Sequence, residues 1–177
     1  LGDVYKRQGN RRITADALGP RTVQHILVTM GAGAAPPVRG LRPVAAVAPG
    51  VAAATGLSLQ QLTAALVGQL RPAAVVCVDS LCSAEGQRLG RTVQFSDSGL
   101  YPAQADHTRH LTRDTVGVPV VAAGIPTLMQ AQEGADLVVT PRALDSVIAH
   151  GAALLACAVN RALQPRLTVQ QLCWLTG

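Results

Sequence analysis

The chain has 177 residues, 49% of them hydrophobic and 14% charged, which supplies one domain with a real core and excludes a disordered polar tract. Aromatic residues make up only 2%, so the core must be built from Val, Leu, Ile and Ala, and little remains for stacking on bases. The net charge of +5 comes from scattered arginines with no basic run or recognition motif, which argues against direct nucleic-acid binding.

Residues 1–8, LGDVYKRQ, hold the only lysine, Lys6, and read as a non-native scar, leaving a single domain expected over 9–177. The stretch GNRRITADALGP then sets Asp16 at a glycine-flanked turn where an amphipathic helix begins. Leu18, Val23, Ile26 and Leu27 recur at helical spacing, predicting a helix from Ala17 to about Met30 with Asp16 or Thr14 as its cap. A strand is expected before Gly9, because a Gly-Asn turn followed by a helix is a βα corner. The Gly- and Pro-rich GAGAAPPVRGLRP reads as a loop, and VAAVAP as a short strand ended by Pro49 and Gly50.

Ser58 is the expected cap of a helix whose Leu59, Leu62, Leu66 and Leu70 form one apolar face, stopped by Pro72. The apolar run AAVVCVDS predicts a buried strand that ends on Asp79. TVQFSDSG is β-prone and delivers Asp97 to a turn at Ser98 and Gly99. VPVVAAGIPT is the most strand-like run, expected to be central and closed by Pro126. Thr140 and Pro141 open a long helix to about Leu163, and a short helix follows Thr168. The alternation predicts an α/β fold, a three-layer αβα sandwich around a mainly parallel sheet, with its first strand missing.

Cys77, Cys82, Cys157 and Cys173 show no CxxC spacing. No apolar run is read as long enough to span a bilayer and no signal-peptide centre is present, so the expectation is a reduced cytoplasmic protein without a membrane partner.

In an open α/β sheet the crevice beyond the strand ends collects functional groups, so Asp16 and Asp79 can face one another there. Two carboxylates sharing one proton supply both the base that activates water and the acid that protonates a leaving nitrogen. Backbone N–H groups at Gly9 and Asn10 are candidates for holding the oxyanion. An acid before a helix is ordinarily a cap, the bland reading of Asp16. Asp79, after five apolar strand residues, is costly unless it is paired or opens onto a cleft. His107 and His110 in a polar loop read as solvated rather than metal-binding, and Cys82 lacks the surroundings of a cysteine nucleophile.

The blocks GNRRITADALGP, RPVAAVAPGV, the TG at Thr55 and Gly56, VVCVDSL, RTVQFSDSGLYP, DTVGVPVVAAGIPT and LVVTPRALD occur in an order that resembles the spore germination protease family. The resemblance implies an atypical aspartic endopeptidase, made as a zymogen and assembled as a homotetramer. It would degrade small acid-soluble DNA-protecting spore proteins in the spore core, with no cofactor and no metal, on a fold similar to hydrogenase maturation peptidases. The family's TPDALGP and DAL motifs correspond to TADALGP and DSL, which marks Asp16 and Asp79 as the catalytic pair. Asp97, in SDSG where the family reads ADTG, is a supporting candidate. Ala15 replaces the family's proline, Cys82 to Glu85 depart after DSL, and AQADHTRH replaces a glycine-rich segment, so the rim differs. The alternatives are a metal-dependent maturation-type peptidase and a non-catalytic binding protein with the same fold.

Overall fold

The computed structural model describes residues 14–31, 39–50, 55–101, 110–130 and 138–177. In chain order the elements are a 3-10 turn (Thr14–Asp16), α1 (Leu18–Gln24), α2 (Leu59–Leu70), β1 (Val75–Ser83), a second 3-10 turn (Gly86–Arg88), β2 (Gln94–Ser96), α3 (Arg113–Val116), β3 (Val120–Gln130), β4 (Val138–Val139), α4 (Leu144–Leu163) and α5 (Val169–Thr176). The fold is α/β. Its sheet is mixed: the long pairing of β1 with β3 is parallel, while the short β2 and β4 pair antiparallel with β3.

The run VPVVAAGIPT is central, as its apolar continuity predicts, and residues 122–128 are all buried. Alternation along β3 serves two cores. Ala123 and Ile125 pack with Ala17, Leu18, Ile148, Ala152 and Leu155 from the α1 and α4 side. Val120 and Ala122 pack with Leu100, Leu111 and Val116, and with Leu59 and Val67 of α2. Close approach depends on small residues: a Cβ on Gly151 of α4 would strike the Ile125 side chain.

Several sequence expectations are corrected. The strand carrying Pro126 does not stop there but runs to Gln130. The register shifts between Leu81 and Cys82, which pair with Pro126 and Leu128 and leave Thr127 as an extra residue, and a bulge is where a sheet tolerates a residue without an N–H. VAAVAP is not a strand. Val44 exchanges its hydrogen bonds with the Thr29 hydroxyl and the Thr29 and Met30 N–H groups, while the Gln164 amide takes both backbone groups of Arg42. α1 ends at Gln24, earlier than expected, because the Asn160 side chain accepts from Leu27 N–H and donates to the His25 carbonyl, drawing the chain off the helix axis. α4 begins at Leu144 rather than at Pro141, after a turn at residues 142–143. The strand expected before Gly9 lies outside the described residues.

The expected cap of α2 at Ser58 is present, and Thr168 caps α5 in the same way. Ser58 and Thr168 each form a capping box, with Gln61 and Gln171, and α2 stops at Leu70 with Arg71 in the left-handed region at φ 49°. Against expectation, one helix among the described residues is long and apolar enough to cross a membrane by length and composition: α4, with a mean hydropathy of 1.4. Its face of Ile148, Gly151, Ala152, Leu155, Ala156 and Asn160 is buried against the rest of the protein, the pattern of a core helix.

Candidate active site

Asp79 sits in the middle of β1 instead of at its end, paired with Gly124 of β3. Gly124 has no side chain to spare: a Cβ there would strike the Asp79 backbone oxygen and the Leu81 side chain. The carboxylate folds back on its own strand, with Oδ1 accepting the Ser80 N–H at 2.8 Å. Burial pushes the Asp79 carboxyl up from 3.8 to about 6; the Ser80 N–H opposes that shift and the charge of Asp16 adds to it.

Asp16 ends the first 3-10 turn and is buried, at 7% exposure. It does not cap α1 in the ordinary way, since the cap position belongs to Ala17, which offers no side-chain acceptor. Two contacts seat this turn on the sheet. The fully buried Thr127 hydroxyl donates to the Ala15 carbonyl at 3.0 Å. Gly19 lies so close to β1 that an added Cβ would stand 2.5 Å from the Val78 oxygen. The two acids, 63 positions apart in sequence, are thereby brought within electrostatic reach in a partly desolvated setting.

Among the described residues, the other candidates are not brought to this place. Asp97 follows β2 and is exposed; β2 runs antiparallel, so beyond Ser96, which pairs with Ala122, the chain moves toward the start of β3 and away from Gly124. Gly9, Asn10 and His107 lie outside the described residues. His110 rests against Tyr101, with ring centroids 5.1 Å apart, near the Leu100–Leu111 bridge, whereas Cys82 is exposed beside Leu128. Cys77, two residues before Asp79, is pushed up to about 11 by burial and by the Asp79 charge, so it stays a thiol. Among the described residues, no three His, Cys, Asp or Glu side chains gather in a metal-binding group.

Sequence reasoning passed over Thr127 and Gly19. The signal for Thr127 was present: one hydroxyl inside an apolar, buried run demands a partner. Gly19 gave none, because the approach of α1 to the Val78 carbonyl exists only in three dimensions.

The family model for germination protease matches residues 6–133, a span that carries Asp16, Asp79 and Asp97. A germination protease of Halalkalibacterium halodurans is 37% identical, over 80% of this chain and 38% of its own length. One from Bacillus subtilis is 38% identical over 70% of this chain and 35% of its own length. One from Clostridium perfringens is 28% identical over 93% of this chain and 66% of its own. The chain thus spans less than two thirds of the length of these relatives. Because the family match covers most of the chain and runs through both acid-bearing segments, the chain belongs to the germination protease family.

Proposed function

We propose that this chain is the catalytic part of an endopeptidase that uses Asp16 and Asp79 as a coupled acid pair to open the small acid-soluble, DNA-protecting proteins of spores at germination. The observation that carries the reading is a buried Asp16 close enough for its charge to add to the burial that pushes the Asp79 carboxyl up to about 6. Two like charges brought together out of water cannot both ionise easily, so the pair holds one proton between them.

In the reaction the ionised carboxyl, Asp16, takes a proton from water as the water oxygen attacks the peptide carbonyl. Asp79 gives its proton to the departing nitrogen, and the pair ends with one proton again. Gly9 and Asn10 remain the candidates for holding the oxyanion through their N–H groups, and Asp97 for contacting substrate at the rim. The family resemblance supports a homotetramer in the spore core as the working form.

The test is cleavage of a small acid-soluble spore protein by wild type, Asp16→Asn and Asp79→Asn, with and without chelator. An acid pair requires chelator-resistant cutting that either substitution lowers by at least about a thousandfold. Cutting by both variants makes the aspartates structural. Loss of cutting with chelator makes the enzyme a metallopeptidase, and substrate capture that survives both substitutions without cutting makes it a binding protein.

A further inference from the structure

We propose that Thr127 is a positioning residue of the acid pair, its hydroxyl holding the backbone just before Asp16 so that Asp16 stays within electrostatic reach of Asp79. The inference rests on the acid-pair reading above.

Thr127 is 0% exposed and is the extra residue of the β3 bulge, the point where the register skips from Pro126 to Leu128. A bulge re-aims a side chain, and here its hydroxyl reaches the Ala15 carbonyl at 3.0 Å, across 112 positions of sequence. Valine would fill the same volume without a polar atom to satisfy, so the hydroxyl contributes direction rather than packing. Ala17 at the cap position contributes no side-chain bond, and Ala15 leaves φ free where a proline would fix it. Gly19 fixes α1 against β1 and Thr127 fixes the preceding turn against β3, with Asp16 between the two attachments.

Removing the hydroxyl frees the Ala15 carbonyl to seek water and lets Asp16 move off the sheet. Among the described residues, the titratable groups that act on Asp79 are Asp16 from the turn and, along its own strand, Cys77, which stays neutral. Withdrawal of Asp16 therefore lowers the Asp79 midpoint.

The experiment is a carboxyl-resolved NMR titration of Asp79 in the full chain for wild type, Thr127→Val, Thr127→Ser and Asp16→Asn, with circular dichroism as the check on folding. Thr127→Val is expected to titrate below wild type, in the direction of Asp16→Asn, and Thr127→Ser to return to the wild-type midpoint. In the cleavage assay Thr127→Val is expected to lose roughly 10- to 100-fold in kcat with KM nearly unchanged. Thr127→Ala, which cannot overpack, must behave as Thr127→Val does should the latter fail to fold. A folded hydroxyl-free variant with the wild-type midpoint overturns the proposal, and so does a lowered midpoint that serine fails to restore. If Asp16→Asn itself leaves Asp79 unmoved, the pairing has failed, which is a separate result from failure at Thr127.

Discussion

Gly19→Ala tests how the sheet and α1 set the distance between the acids. Its new Cβ would lie 2.5 Å from the Val78 carbonyl oxygen, against 3.4 Å for ordinary contact, so α1 must retreat by about 0.9 Å. The obstacle is backbone in the middle of a paired strand, which cannot rotate aside as a side chain can. Overpacking of this kind costs about 1–3 kcal/mol, and the better helix propensity of alanine returns at most about 1 kcal/mol. The expected net loss is about 1–2 kcal/mol in urea unfolding, with an unchanged slope. Because Asp16 ends the turn that leads into α1, three residues before Gly19, the retreat also draws it from Asp79. Displacement of a reacting group by about 1 Å costs on the order of 100-fold in rate, so kcat should fall much further than stability alone explains. A Gly19→Ala protein as stable as wild type, with the same cleavage rate and Asp79 midpoint, would refute the close approach as the element that sets the pair.

Asp79→Asn should be more stable than wild type at pH 7 and no more stable at pH 4. A carboxyl at 3.8 unfolded and about 6 folded binds more protons when folded, so stability falls as pH rises between those values. The penalty is at most roughly 3 kcal/mol and is reduced by screening at a half-buried group; equal melting shifts at both pH values would count against it. Asn160→Leu leaves the Leu27 N–H and His25 carbonyl without their buried partner and should cost about 2–4 kcal/mol in chemical denaturation, whereas a cost under about 0.5 kcal/mol would mean that water replaces the amide. Ser58→Ala removes the acceptor of the α2 capping box and should cost about 1 kcal/mol without altering cleavage, since α2 packs on the core away from the pair. Asp97→Asn should lower cleavage far less than Asp79→Asn, because the antiparallel register of β2 carries Asp97 away from Gly124; equal losses would place it among the reacting groups.

Much of this architecture was legible along the chain because local chemistry and global fold agree there. Ser58 and Thr168 signal their helices through hydroxyl caps followed three residues later by glutamine, and the apolar runs of β1 and β3 are both strands, β3 buried over residues 122–128 and β1, expected to be buried, only half-buried along most of its length. The failures share a cause: long-range partners take over backbone groups that local sequence would assign elsewhere. Asn160 shortens α1, and Gln164 with Thr29 turns VAAVAP from a strand into a tethered loop. Pro126 reads as a stop, yet it pairs with Leu81 and the strand continues past it through the bulge at Thr127. At the site, motif and spacing marked both aspartates, and the structure brings them into electrostatic reach. The direction of β2, which decides where Asp97 goes, is a property of pairing and leaves no mark in TVQFSDSG.

The most direct measurement of the acid pair is the pH–rate profile for cutting a small acid-soluble spore protein from pH 4 to 8, with the products identified by mass and Asp79→Asn run alongside. One proton shared between Asp16 and Asp79 predicts a bell whose alkaline limb bends near 6 and falls tenfold per pH unit above it, with no cutting by Asp79→Asn at any pH. A profile flat through pH 6 to 8, or an Asp79→Asn protein that still cuts at the same bonds, would contradict it.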